Sequence, residues 1–262
     1  MAENTENRPL VLLQITDMHL HAAADSRMRG VTTYETLLSI LEHLQLDKRW
    51  PPDAIVVTGD IVQDESQAGY ERFRDILMPF DIPVYCLPGN HDDPMLMADV
   101  LAADLFQVCG HKTIAGWAMI FLSTFARGDD GGSIGPAALA ALDERLAAHR
   151  DCHALVCMHH QPLPMGSAWL DGVGLRDAEQ FLACIGAHEH VRGVLWGHVH
   201  QASDRVRDGV RYLSTPSTCS QFLPRSEFFA LDSHPPGARW LILDPDGRIE
   251  TEVDWLKSKN DP

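Results

Sequence analysis

Five short clusters in the chain hold the residue types that bind metals and move protons: Asp17-Met18-His19, Gly59-Asp60, Gly89-Asn90-His91-Asp92, His159-His160 and Gly197-His198-Val199-His200. Carboxylate and amide oxygens mixed with neutral imidazoles suit Mn, Fe or Zn, whereas an all-oxygen set would point to Mg or Ca. In Asp17-x-His19 and His198-x-His200 the spacing of two would, in an extended chain, turn both members toward a common ion. The glycines before Asp60, Asn90 and His198 permit sharp turns, and Gly89 leaves room for close backbone approach. Taken singly, each cluster is an ordinary turn or surface sequence. Their joint occurrence points to a metal site.

Such clusters need elements that bring them together, and each directly follows an apolar run. Strands are expected at 10–16, 54–58, 82–87, 118–123, 154–158 and 193–196. Between them, helical spacing is seen through Leu37, Leu38, Leu41 and Leu44, then at 68–77, 94–105, 136–148 and near 178–187. The last third is mainly β, with strands expected at 210–214, 228–231, 239–243 and 248–254 and a hairpin turn at Pro245-Asp246-Gly247. This is an α/β rhythm. In such sheets ligands bind in the crevice beyond the carboxyl ends of the strands, where all five clusters fall. No linker or repeat divides the chain, so a single domain is expected over 10–256, with short tails at 1–9 and 257–262.

The chain has 262 residues, of which 45% are hydrophobic, enough for a substantial core. Lys plus Arg number 21 against 37 Asp plus Glu, a net charge of −16, and no basic patch interrupts that field. A nucleic-acid polymer is therefore not an expected partner. No apolar run approaches the roughly 18 residues that span a bilayer, so no membrane association is expected. The opening MAENTENRPLVLLQITD has Glu3 and Glu6 where a secretory leader would be basic, and a cytoplasmic location is expected. Six cysteines form no CxxC pair and read as buried thiols, Cys157 and Cys219 as small apolar fillers. No GxSxG elbow supports serine-hydrolase chemistry.

The set DxH, GDxxxD, GNHD, H and GHxH resembles the calcineurin-like metallophosphoesterase superfamily. QITDMHL, TGDIVQDES, LPGNHD, MHHQPLPMGSAWLD, GHVHQ and TPSTCSQF extend the likeness, over about 10–255, to the bacterial class III 3′,5′-cyclic AMP phosphodiesterases. The resemblance implies a four-layer α/β/β/α sandwich with two divalent ions, Fe2+, Mn2+ or Zn2+. It implies Asp17, His19 and His200 on the first ion, Asn90, His159 and His198 on the second, and Asp60 bridging both. His19, Asn90 and His91 would contact substrate, His91 would protonate the leaving 3′ oxygen, and Asp92 would orient the His91 imidazole. The implied reaction is hydrolysis of 3′,5′-cyclic AMP to 5′-AMP by in-line attack of a metal-bound hydroxide. Other substrates remain open, among them glycerophosphodiesters and 2′,3′-cyclic nucleotides, as does a non-catalytic binding scaffold.

Around that site Trp169 and Phe222 are candidates to stack a base, or equally core residues, and His21 is a candidate substrate contact. His160 and Asp64 read as structural, and His43, His111, His149, His153, His188, His190 and His234 as mostly solvated. Ligand histidines must be neutral, so activity is expected to fall below about pH 6.5 as metal binding weakens. Oligomeric state is written in none of these motifs.

Overall fold

The runs that begin at Leu10, Ala54 and Val84 are apolar on both faces, so each must be covered on both sides, as parallel strands inside an α/β layer are. The computed structural model of the protein describes residues 8–257. Of the expected tails, 1–7 and 258–262 lie outside the described residues.

In chain order the first half contains β1 (Leu10–Ile15), β2 (Arg27–Met28), β3 (Val31–Thr32), α1 (Thr33–Leu44), β4 (Ala54–Val57), α2 (Gln67–Leu77), β5 (Val84–Cys86), α3 (Pro94–Val100), β6 (Phe106–Val108), β7 (Gly110–Ile114) and β8 (Trp117–Phe121). The second half contains α4 (Pro136–Ala148), β9 (His153–Cys157), α5 (Ala168–Asp171), α6 (Ala178–Gly186), β10 (Val191–Trp196), β11 (Ser203–Arg207), β12 (Val210–Ser214), β13 (Gly237–Leu243) and β14 (Ile249–Trp255).

Two six-stranded sheets result, in the orders β14-β13-β1-β4-β5-β6 and β11-β12-β10-β9-β8-β7. Strands β1, β4, β5 and β6 are parallel in the first, and β8, β9, β10 and β12 in the second. Antiparallel strands close the edges at β13 and β14, at β11 and at β7. Alternation along each strand then makes three apolar layers. Leu12, Val56 and Leu87 meet Trp117, Met119, Leu155 and Leu195 between the sheets. On the outer face of the first sheet, Leu13, Ile15 and Val57 pack under Leu37, Leu41, Phe73 and Met97 of α1 to α3. On the second, Val156, Val194 and Trp196 pack under Leu142, Leu146, Phe181 and Ile185 of α4 and α6. The architecture is the expected α/β/β/α sandwich, in one domain.

Local chemistry sets the helix starts facing the site. Ser66 accepts from the Gly69 N–H at the start of α2, and Asp93 accepts from Met95 and Leu96 with Pro94 in the first turn of α3.

Two elements differ from expectation. The helix expected over 94–105 stops at Val100, because Leu105 O accepts from Val84 N and the following residues add β6 to the free edge of β5. Residues 228–231 form no strand. Apart from one isolated bridge between Leu231 and Phe222 the segment finds no strand partner, and Phe228 is 73% exposed.

Candidate metal centre

Every cluster follows the carboxyl end of a parallel strand: β1 for Asp17 and His19, β4 for Asp60, β5 for Asn90 and His91, β9 for His159, β10 for His198 and His200. The loops interlock through Asp17 N to Gly59 O at 3.1 Å and His19 N to Asp60 O at 3.0 Å. The two pairs spaced by two do face one site, but not in extended chain. Asp17, His19, His198 and His200 all have left-handed backbones, φ 54°, 49°, 63° and 46°, as does Asp60 at 51°. The intervening Met18 and Val199 are wholly buried in the core, so each loop pivots about an apolar anchor. Left-handed non-glycine residues cost of order 1 kcal/mol each, and such strain concentrates at functional sites.

The glycines act mainly by close approach. A Cβ on Gly89 would overlap the Asp60 carboxylate and its backbone N, and one on Gly197 would overlap the Thr16 hydroxyl. Gly59 is held at φ 97° against His159 and Gly89.

Donor atoms converge in two groups. In the first, His19 Nε2 lies 3.1 Å from His200 Nε2 and 3.7 Å from Asp60 Oδ2, and His200 Nε2 lies 3.4 Å from Asp17 Oδ1. In the second, His159 Nε2 lies 3.4 Å from Asp60 Oδ1 and 3.1 Å from Asn90 Oδ1, which is 3.0 Å from His198 Nδ1. The two oxygens of Asp60 thus face one group each. Ligands about 2.1 Å from a common ion sit roughly 3.0 Å apart in octahedral and 3.4 Å apart in tetrahedral geometry, which all but the 3.7 Å separation fit. His159 and His200 direct Nδ1 at the carbonyls of Thr58 and Ser220, at 2.7 and 2.6 Å, leaving Nε2 bare toward the site. His19 Nδ1 and His198 Nε2, the ring nitrogens outside the two groups, are buried without a partner. Each group draws side chains from both sheets.

Beside the groups, His91 lines a cavity of about 300 Å³ together with His19, Asp60, Asn90, His198 and His200. Trp169 and Phe222 form part of its wall and also pack on the core of the second sheet, and Phe222 stacks flat on His200 with centroids 4.0 Å apart. Arg29, which sequence reasoning missed, completes that wall. It occupies the first turn position of the two-residue β2–β3 hairpin at φ 51°, its guanidinium 4.3 Å over Phe229 and 5.1 Å over Phe222. The Arg-Gly pair between two short strands was the available signal.

Three expected placements differ. Asp92 does not touch the His91 ring. Its carboxylate accepts from the N–H groups of Ile61, Val62 and Gly89 and from the Tyr70 hydroxyl, knitting the Asp60 and Asn90 loops together. His21 is absent from the cavity wall; the left-handed turn at His19 carries it toward Asp64, which holds Ala22 N at 3.0 Å. Among the histidines expected to be solvated, His43 and His188 are half-buried against Asp254 and Asp143. His160 is structural as read: its nitrogens engage Thr124 Oγ1 and Asp130 O. Cys157 and Cys219 are buried fillers.

Residues 10–202 match the family model described as calcineurin-like phosphoesterase. The chain belongs to that family. A 3′,5′-cyclic adenosine monophosphate phosphodiesterase CpdA from Vibrio vulnificus is 36% identical over 258 residues, 98% of this chain and 94% of that protein. The CpdA of Escherichia coli K12 is 38% identical over 247 residues, covering 94% of this chain and 89% of its own. In fold, the chain matches the crystal structure of a dimetal phosphatase from Danio rerio at a TM-score of 0.67 and 14% identity, over 96% and 100% of the two chains. Calcineurin-like phosphoesterases use a dinuclear divalent metal centre, and the Asp and His clusters of this chain can bind metal. No helix among the described residues is long and apolar enough to cross a membrane.

The electrostatics of this phosphoesterase centre suit cations. Burial pushes the carboxyls of Asp17 and Asp60 up, but the facing histidines outweigh it and hold both below the usual range. Burial brings His19 and His198 down to about 3, so both rings are neutral across the ordinary pH range. His159 goes the other way. Burial is outweighed by Asp60 and Asp17, and the ring rises to about 9 in the metal-free protein. Below that pH His159 carries a proton that a metal binding there would have to displace, so affinity is expected to rise with pH up to about 9, with about one proton released per chain near neutrality. The direction agrees with the loss of activity expected at low pH as metal binding weakens. Calorimetric Mn2+ titration in two buffers of different ionisation enthalpy measures the release. A pH-independent affinity through this range would contradict it.

Proposed function

We propose that the chain is a dinuclear-metal phosphodiesterase that hydrolyses 3′,5′-cyclic AMP to 5′-AMP. The observation that carries this is the Asp60 carboxylate, whose two oxygens face two separate donor groups at the floor of a nucleotide-sized cavity. Asp17, His19 and His200 would hold one ion and Asn90, His159 and His198 the other, with Asp60 shared. Bound there, a pair of Fe2+, Mn2+ or Zn2+ ions supplies positive charge for the phosphate and makes an activated water available near neutral pH.

The remaining chemistry falls to the side chains. His91 stands at the cavity edge, its ring centroid 5.2 Å from that of His19, where it can meet the leaving 3′ oxygen and give it a proton. Trp169 and Phe222 meet edge to face on the cavity wall with Arg29 beside them, an aromatic surface for a purine that a phosphate monoester or a small diester would leave empty. The enclosed volume suits one nucleotide rather than a polymer, in keeping with the net charge of −16. The two CpdA relatives named above carry the same activity in their names. A cytoplasmic location goes with that substrate.

The test is hydrolysis of 3′,5′-cyclic AMP, with products resolved, by protein stripped of metal and reloaded with Mn2+ or Fe2+, beside a generic aryl phosphodiester. Metal-dependent 5′-AMP, at a kcat/KM above that for the aryl diester and for glycerophosphodiesters, is the expected result. Turnover of the aryl diester alone would keep the metal centre and overturn the substrate.

A further inference from the structure

His91 lacks the carboxylate partner that its neighbour in sequence seemed to supply, since Asp92 is committed to backbone N–H groups and Tyr70. What meets the ring instead is the side-chain amide of Gln63, whose Nε2 lies 3.2 Å from His91 Nδ1. Gln63 is itself well held. Its backbone N donates to Leu20 O at 2.8 Å, and the adjoining Val62 bridges to Leu20, so the amide is carried on the segment that also carries Asp60. Its other amide atom, Oε1, is buried and has no partner. Among the described residues the mechanism gives this amide no other task.

We propose that Gln63 is the positioning residue for His91, holding Nδ1 so that Nε2 faces the scissile phosphodiester. The proposal rests on the reading of His91 as proton donor to the leaving oxygen. An amide can serve the ring in each of its forms: its nitrogen donates to a bare Nδ1, and after a half-turn its oxygen accepts from Nδ1–H. In the step itself the ring begins protonated on both nitrogens. The attacking water gives one proton to solvent, the bond from its oxygen to phosphorus forms, the P–O3′ bond breaks, and the Nε2 proton passes to O3′. The ring is left neutral with its remaining proton on Nδ1, accepted by Gln63 Oε1; a proton from solvent restores the ring before the next turnover. A carboxylate in this place would favour the charged ring and hold its proton back; the neutral amide fixes direction without that bias.

The consequence is selective for the leaving group. A ribose 3′ alkoxide needs the proton, whereas a p-nitrophenolate leaves without it. In Gln63→Ala, and in Gln63→Met, which keeps side-chain bulk without the amide, kcat for 3′,5′-cyclic AMP is expected to fall about 10- to 100-fold. KM should stay within about twofold, and turnover of bis(p-nitrophenyl) phosphate within about threefold at equal metal content. His91→Ala should show the same contrast more strongly, and the double variant should lose little more than His91→Ala alone, because the two residues act as a unit. Equal losses on both substrates, no loss on either, or additive losses in the double variant would overturn the proposal. If His91→Ala itself lowers both substrates alike, the proton-donor reading fails and Gln63 falls with it. If His91→Ala keeps the contrast and the Gln63 variants lack it, Gln63 alone falls.

Discussion

Asp60→Ala is expected to lose at least about 10³-fold in kcat/KM for any phosphodiester, roughly 4 kcal/mol of barrier, and to bind fewer than two ions per chain. The size of the effect follows from position. Among the described residues Asp60 is the one side chain with an oxygen in each donor group, at 3.7 Å from His19 Nε2 and 3.4 Å from His159 Nε2, so its removal opens both groups at once. It also takes away the acceptor for His91 N, 3.0 Å from Oδ1, and so loosens the turn that carries His91. The core beneath is apolar and independent of this carboxylate, so the fold should persist. Metal analysis, circular dichroism and kinetics on the same preparation check it. Full turnover at unchanged metal content would remove the bridging role. Asp60→Asn separates charge from shape: it keeps an acceptor for His91 N, and it should still fail to retain both ions.

Gly89→Ala is the second large effect, and it comes from a single methyl group. The new Cβ would overlap Oδ1 and the backbone N of Asp60 and press on His159 Cε1. Two of those neighbours belong to a loop pinned by Asp92, so they cannot swing aside as the tip of a flexible side chain would. Overpacking of this kind costs about 1–3 kcal/mol, and the displaced carboxylate should lower activity by at least about 100-fold. Gly186, at the end of α6, is the control. Nothing lies within 4 Å of its missing Cβ and its backbone is not left-handed, so Gly186→Ala should be neutral or stabilise by up to about 1 kcal/mol. Thermal unfolding and kcat/KM of the two variants measure the contrast. A Gly89→Ala protein as active as Gly186→Ala would show that the loops around Asp60 yield more readily than their hydrogen bonds imply.

The parts of this molecule that sequence made visible share one property: their partners are dictated by burial or by position on a strand. Buried parallel strands such as β4 and β5 are continuous apolar runs, and the polar residues that follow them must lie at one end of a sheet. Edge strands are not so marked. The charged sequence of β11, Ser203–Arg207, faces solvent on its outer side and shows no apolar period, a common defence of a free sheet edge. Phe228 and Phe229 misled in the opposite sense, since an exposed apolar pair satisfies strand propensity without having a strand beside it. Within the site, identity was legible and pairing was not. His91 and Asp92 are adjacent in sequence, yet the carboxylate turns to Tyr70, 22 positions away, and the ring to Gln63, 28 positions away. Local spacing carries no information about such partners. The left-handed pivots about Met18 and Val199 were hidden for the same reason, because they are set by the loop packed against them.

Each donor group takes side chains from both sheets: Asp17, Asp60 and Asn90 from one, His159, His198 and His200 from the other. Ions seated there would add to the hydrogen bonds that already join the two halves at that end, among them His198 N to the Asp17 carboxylate, Ser217 Oγ to Asp17 O and His159 Nδ1 to Thr58 O. Fastening of this kind adds stability in proportion to the logarithm of ion supply, about 2.7 kcal/mol when free metal exceeds its dissociation constant 100-fold. A cell short of these metals would then lose the enzyme twice over, first as an idle catalyst and then as a looser chain more open to proteases, so that its abundance comes to report on metal nutrition.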